Sequence, residues 1–293
     1  MPAIERPIEK HIRNGIVILD KWPGPTSHDV TTFIGKKLGL KTAHSGTLDP
    51  AVSGVLLITL ENACKLISVL QRVDKEYVGV IHLHKDVDEP AMKQAISRLI
   101  GNIKQTPPRK SAVSRKPRKR KIYDIKILDN DGRNYCLYVR CEAGTYIRVL
   151  FHQIGQALGT GAHMKELRRI RSGGFPESRA TTAQELIDAY CTWKNSGEET
   201  ELRKIIIPLE ESIRHLKKII VKDTALDSIL HGSPLYSTGV CEMDKTIRKD
   251  DIVALFSQKD ELVAVGLADK PIEKKSRLVR IKRVIMETVQ KAS

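Results

Sequence analysis

The stretch "KIYDIKILDNDGRNYCLYVRCEA" (121–143) carries two runs rich in β-branched and aromatic residues, separated by a turn at Asp131-Gly132. That is the signature of a β-hairpin, and a hairpin makes its two strands antiparallel neighbours. It excludes an all-helical chain and argues against a purely parallel, doubly wound sheet. Upstream, "KEYVGVIHLH" (75–84) alternates as a third strand, with Tyr77, Gly79, Ile81 and Leu83 on one face. Helical patterns lie between and after these strands, in "EPAMKQAISRLIG" (89–101), with Pro90 at an early helical position, and in "GTYIRVLFHQIGQALG" (144–159). Strands and helices in mixed order, with a hairpin among them, give an α+β fold.

The rest of the chain follows the same logic. "GIVILDKWPGPTS" (15–27) reads as a short strand, Ile16 to Leu19, entering a Pro/Gly turn. Ser27 is expected to cap a helix that places Val30, Phe33, Ile34 and Leu38 on one face and closes at Gly39. "VLLITL" (55–60) reads as a buried strand and "NACKLISVLQR" (62–72) as a helix. Thr145 is expected to cap the helix that turns Ile147, Leu150, Ile154 and Leu158 inward. The polar stretch 189–204 reads as an exposed connection. From about Lys217 the pattern changes to short strands ("KIIVK", "DIVALF", "ELVAVGLA", "RLVRIKRVIM"), which suggest a small C-terminal β-barrel of about 75 residues. The expected division is 1–212 and 213–293.

Charge narrows the function. The formal net charge is +15 and the isoelectric point about 9.6, a surplus that favours a polyanionic partner. Its distribution is uneven: from Arg109 to Lys121 there are eight basic residues and no acid. A mobile loop carrying Arg109, Lys110, Arg115, Lys116, Arg118, Lys119 and Arg120 fits phosphate contact better than general solvation. The low aromatic content argues against recognition dominated by base stacking on an open sheet. "AVSGVLLITL" (51–60) is about half a membrane span, and the N-terminus has no apolar signal region, so the expectation is a cytoplasmic protein with no membrane partner. The five cysteines are widely spaced and include no CxxC, and strand period puts Cys136 and Cys141 on opposite faces. Neither a disulfide framework nor a metal site is expected.

Within "HSGTLDP" (44–50), Asp49 is the only acid between Asp29 and Glu61. Pro50 drives the Asp49 backbone out of the helical region, and Gly46 allows the chain to lie close against a neighbour. The loop either presents a single reactive carboxylate or is an ordinary turn in which Asp49 bonds its own backbone. Arg148 falls in the first turn of its helix, where the macrodipole disfavours a cation. It either has a compensating carboxylate or is a surface arginine bearing a small cost. Tyr77 is either a core-edge aromatic or the lining of a pocket, and His44 is open between a contact residue and a plain loop histidine.

Three motifs together resemble a known family. "HSGTLDP", "KEYVG" (75–79) and "CEAGTYIRVL" (141–150) are similar, in order and separation, to the active-site motifs of the TruB-related pseudouridine synthases. "GIVILDKWPGPTSHDV", "PPRKSAVSRKPRKRKIY" and "GAHMKELRRIRSGGF" look like the dyskerin-type branch, the archaeal catalytic subunit of H/ACA ribonucleoproteins. The likeness runs from about residue 5 to 285. Ala43 and Trp22 depart from it, standing where that family usually has glycine and proline.

The resemblance implies a pseudouridine synthase fold, with a mixed, largely antiparallel central sheet and a PUA-like C-terminal barrel. It implies isomerisation of uridine within rRNA or tRNA, without cofactor or metal. Asp49 would act as nucleophile or base, Arg148 would aim it, and Tyr77 would stack on a flipped uracil. His44 would hold the RNA with that base out, and the basic segment of about 105–121 would grip phosphates as a thumb. Partners implied are substrate RNA, an H/ACA guide RNA and small protein subunits of that particle. The competing readings are a stand-alone enzyme for the tRNA T-loop uridine and a catalytically silent RNA-binding scaffold. No coiled coil or apolar patch calls for self-association.

Overall fold

The computed structural model describes residues 6–108, 114–269 and 276–286. Ten strands form one sheet. From one edge the order is Ile206–Pro208, Gly15–Lys21, Ser53–Leu60, Ala162–Ser172, Lys75–Leu83, Asn134–Cys141, Arg118–Asp131 and Gly101–Gln105. Two short strands, Thr42–Ser45 and Phe175–Pro176, pair with Ser53–Leu60 and Ala162–Ser172. One join is parallel, and it is only two residue pairs long: Ser53 with Arg168 and Gly54 with Arg169. The sheet is therefore mixed and largely antiparallel, and its two halves meet at this seam. Gly54 makes the seam possible. Its φ is +97°, and a Cβ there would sit 2.3 Å from the Arg169 carbonyl oxygen.

The helices Ser27–Leu38, Glu89–Ser97, Ile147–Ala157 and Ala183–Ser196 bury their apolar residues in one core with the sheet. A second, six-stranded sheet runs Leu235–Tyr236, Arg277–Val284, Leu262–Ala268, Ile252–Phe256, Lys217–Val221, Val240–Met243 and nearly closes as a barrel. It does not stand apart. Ala254, Phe256, Leu262, Val265 and Ile285 share a buried cluster with Ile16, Ile18, Val55 and Leu57 of the large sheet. Alternate positions of Gly15–Lys21 and Ser53–Leu60 thus face the helical core and the barrel, which is why both strands read as continuous apolar runs.

Several local expectations change. The first long helix is capped by Thr26, in a reciprocal capping box with Asp29. Ser27 is one residue inside, where its Oγ exchanges hydrogen bonds with the Leu48 backbone. Phe33 points outward beneath Lys37, because Val30, Thr31, Ile34 and Leu38 already fill the inward face. Residues 61–70 form a 3-10 turn and then a single helical turn, not one helix. The hairpin pairs Asp131 with Asn134, so its two turn residues are Gly132 and Arg133, with φ +57° at Gly132.

The stretch 189–204 is not a connection. A Thr182–Glu185 capping box opens Ala183–Ser196, Gly197 closes it, and Thr200–Ile205 follows. Its polar residues are the outer face of helices that bury Leu186, Ala189, Tyr190 and Leu202. The basic run is also not a loop throughout. Arg118, Lys119 and Arg120 begin a strand, in register with Gln105, Lys104 and Ile103. Arg109 and Lys110 lie outside the described residues.

Candidate active site

The loop after Thr42–Ser45 is held from several sides before any ligand is considered. Lys21 is fully buried and donates to the carbonyls of Trp22, Pro50 and Val52, at 2.9, 3.1 and 2.9 Å. The equally buried Arg169 donates from Nε to the Val55 carbonyl at 2.6 Å and from Nη2 to the Gly46 carbonyl at 2.8 Å. Ser27 fixes Leu48, and the Val52 amide closes back on the Asp49 carbonyl at 3.0 Å. Gly46 is at φ +77°, and a Cβ would lie 3.3 Å from Arg169 Nη1. Glycine is therefore needed for the loop to sit on the guanidinium. Ala43 belongs to the short strand paired with Thr59, so this departure falls in paired backbone ahead of the loop.

These anchors point the Asp49 side chain outward. Its Oδ2 meets Arg148 Nη2 at 2.9 Å, with 46% and 49% of the two side chains exposed. The helix Ile147–Ala157 starts from Tyr146, whose amide donates to Gln105 Oε1 at 3.0 Å. Thr145 bonds the Glu142 carbonyl instead of capping the helix. Arg148 is still in the first turn, and the carboxylate supplies the compensation that the macrodipole asks for.

Tyr77 lies opposite Arg169 in register on the neighbouring strand, at the same seam. Its ring is buried, and burial pushes the phenol's pKa up against the opposing pull of the nearby Arg169 charge. Lys75, two residues back on the same face, is buried and donates to the Gln71 and Val73 carbonyls. Burial first, and the Arg169 charge second, lower its pKa to about 8. The Lys21 pKa is also lowered, mainly by burial, then by Arg169 and against the opposing pull of Asp49. One exposed carboxylate thus pairs with Arg148 on a loop whose backbone the buried Lys21 and Arg169 hold, with Lys75 buried close to Gly46 of the same loop.

Lys21, Lys75 and Arg169 were not among the sequence-predicted residues. Two of them left a trace: strand period puts Lys75 on the Tyr77 face, and Arg169 on the face of the buried Leu167. Lys21 ends a strand buried on both faces and has no local signal. His44 is half-buried against Thr31 Oγ1 at 3.1 Å and Thr47 Oγ1 at 3.4 Å. Its pKa is lowered by burial and then by His28 and Arg169, so near neutral pH it acts as a neutral hydrogen-bonding group.

Arg115, Lys116 and Lys119 are exposed, and Arg118 and Arg120 are partly so. Arg120 Nε reaches the Gly144 carbonyl at 3.0 Å, which ties the start of this basic strand to the turn leading into Arg148. Cys136 and Cys141 do face opposite ways, and burial pushes the Cys141 thiol up to about 12. Among the described residues, no helix is long and apolar enough to cross a membrane.

Models of known families cover nearly the whole chain. Residues 33–147 match the TruB family pseudouridylate synthase N-terminal domain, and 148–214 match the tRNA pseudouridylate synthase B C-terminal domain. Residues 217–282 match the PUA domain and 1–31 the DKCLD domain. The probable tRNA pseudouridine synthase B of Methanopyrus kandleri is 47% identical over 98% of this chain and 86% of its own. That of Pyrococcus abyssi is 49% identical over 91% and 80%. Among solved structures, a Cbf5-Nop10-Gar1 complex matches with TM-score 0.92 and 45% identity, covering 98% of this chain and 89% of the other. An H/ACA RNP bound to a substrate RNA containing 2′-deoxyuridine matches with TM-score 0.90 and 43% identity, over 98% and 90%. Identity at this level over almost the full length, on a shared fold, places the chain in the TruB/Cbf5 family: it is a pseudouridine synthase.

Proposed function

We propose that this enzyme isomerises uridines of rRNA, tRNA or both in the cytoplasm, selected by an H/ACA guide RNA and assisted by small protein subunits. The observation that carries this reading is the 98% coverage by a Cbf5 structure solved with Nop10 and Gar1. The name tRNA pseudouridine synthase B, borne by the curated relatives, favours a second reading, direct action on tRNA. Domain roles follow: residues 1–212 carry the chemistry and 213–293 hold RNA.

In the mechanism we propose, the target uridine leaves its stack, which costs a few kcal/mol. Tyr77, which keeps 8% of its surface exposed, meets the uracil there, a contact of about 1–3 kcal/mol that offsets much of that cost. Asp49 reacts at the sugar or the uracil ring as N1–C1′ breaks. The freed base turns, C5–C1′ forms, and the C5 proton is lost while N1 takes one up. An ordinary aspartate is already ionised at neutral pH. Arg148 therefore serves to aim the carboxylate and to stabilise changing charge. His44, as a neutral donor or acceptor, holds the RNA strand, and the basic strand start grips its phosphates.

Two expected results test this. Purified protein should form pseudouridine in labelled RNA in a guide-dependent manner once its protein subunits are added. Full activity on tRNA without guide would establish the second reading, and no product in any condition would leave an RNA-binding scaffold. Replacing Arg115, Lys116, Arg118, Lys119, Arg120 and Lys121 with Gln should flatten the dependence of log affinity on log salt. The slope should change by roughly 0.7–0.9 for each phosphate that the variant no longer neutralises. A slope equal to wild type would mean that the run is solvated charge.

A further inference from the structure

Three histidines stand together on the sheet, outside the residues assigned to the reaction. His82 lies directly opposite His163 on the strands Lys75–Leu83 and Ala162–Ser172, and His84 follows two residues after His82, so all three share one face. His84 and His163 are exposed and His82 is half-buried. The ring centroids are 5.1 Å apart for His82 and His163, 5.3 Å for His84 and His163, and 6.5 Å for His82 and His84. His84 Nε2 and His163 Nδ1 approach to 3.0 Å.

The geometry points to a surface site for a borderline divalent cation of the Zn2+ type, held by His84, His163 and His82. A cation of this type bonds imidazole nitrogen at about 2.0–2.1 Å. Two nitrogens bound to one tetrahedral ion are then about 3.3 Å apart, and the ring centroids about 5 Å apart. The His84 and His163 rings already stand close to both values. Without the ion, the two nitrogens share one proton in an N–H···N bond; the ion takes the place of that proton. Among the described residues no three such side chains already converge on one point. The His82–His84 separation is the one that shortens when the ion binds.

Two features suit His82 and His84 to the role. His82 Nδ1 donates to Asn134 Oδ1 at 2.8 Å, which leaves Nε2 as the nitrogen with a free lone pair. Metal-bound histidines are usually held this way, with the second ring nitrogen donating to a carbonyl-type oxygen. Gly161 opens the space for the His84 ring, since a Cβ there would lie 2.9 Å from His84 Nδ1. The nearby Arg133 charge does not oppose a cation alone: Asp86 pairs with it at 2.8 and 2.9 Å. Imidazole ligands select Zn2+, Ni2+ or Cu2+ over Mg2+ and Ca2+. Once bound, the ion clips together the strand that carries Tyr77 and the strand that carries Arg169, at the end away from the seam.

The test is calorimetric titration of Zn2+ into the full-length protein, with the histidine ring signals followed by NMR. One saturable site should appear, perturbing the rings of His82, His84 and His163, and saturation should raise Tm by several degrees. His84→Ala and His163→Ala should each weaken that site at least tenfold, and His82→Ala should weaken it measurably. A variant with the exposed Cys191 and Cys241 changed to Ser should bind as wild type does. Unchanged Zn2+ affinity in His84→Ala or His163→Ala, or no saturable site in the wild type, would overturn the proposal.

Discussion

Replacing Asp49 with Asn should lower pseudouridine formation by about 10³-fold or more, the loss typical of removing a reacting group. That corresponds to about 4 kcal/mol of transition-state stabilisation. The fold should hardly notice. The Asp49–Arg148 pair is about half exposed, and pairs of this kind contribute about 0–1 kcal/mol. The loop is held through backbone carbonyls by Lys21 and Arg169, and none of these bonds involves the Asp49 side chain. RNA affinity should also remain near the wild-type value, because removing one carboxylate takes away no cation that meets phosphate. Product assays and RNA titrations on the same preparation decide the matter. An Asp49→Asn protein with substantial turnover would remove Asp49 from the chemistry.

Arg169→Met should have the opposite profile, with a large effect on stability that carries activity down with it. The substitution leaves the Val55 and Gly46 carbonyls without their donor. Each orphaned buried acceptor costs about 1–3 kcal/mol, so the two together cost about 2–6 kcal/mol. That is a large share of the roughly 5–15 kcal/mol that commonly separates folded from unfolded chains. The urea midpoint should fall accordingly. Arg169→Lys should recover only part of the loss, since an ammonium restores the charge but not the two-armed geometry that reaches both carbonyls. A midpoint at the wild-type value in Arg169→Met would show that the seam does not depend on this guanidinium.

The contrast between these two residues shows which features can be read along the chain. Asp49 and Arg148 are conspicuous because each is locally out of place: a single acid in a basic stretch, and a cation at the wrong end of a helix. Local misfit is a property of sequence, and it draws attention to both. Tyr77 stands out by motif, on a strand whose alternation holds at every position from Lys75 to Leu83. Where the structure departs from the local pattern, a neighbour in space has overridden it. Ser27 gives up the cap to serve Leu48, and Thr145 turns to Glu142. The polar stretch 189–204 is helical because two capping signals and a few buried residues outweigh its composition.

The α+β class, the hairpin, the apolar strands, the terminal β-rich unit, the basic segment and the three motifs are all legible without coordinates. They follow from periodicity, charge or short-range pattern, which are local quantities. That Asp49 and Arg148 meet at 2.9 Å is a property of the folded chain alone, since they lie 99 positions apart and no local rule measures that closure. The same holds for the burial of Lys21, Lys75 and Arg169 around the Asp49 loop. Lys21 and Arg169 stay buried because carbonyls distant in sequence converge on them, and that convergence exists once the sheet has closed its short parallel seam at Gly54.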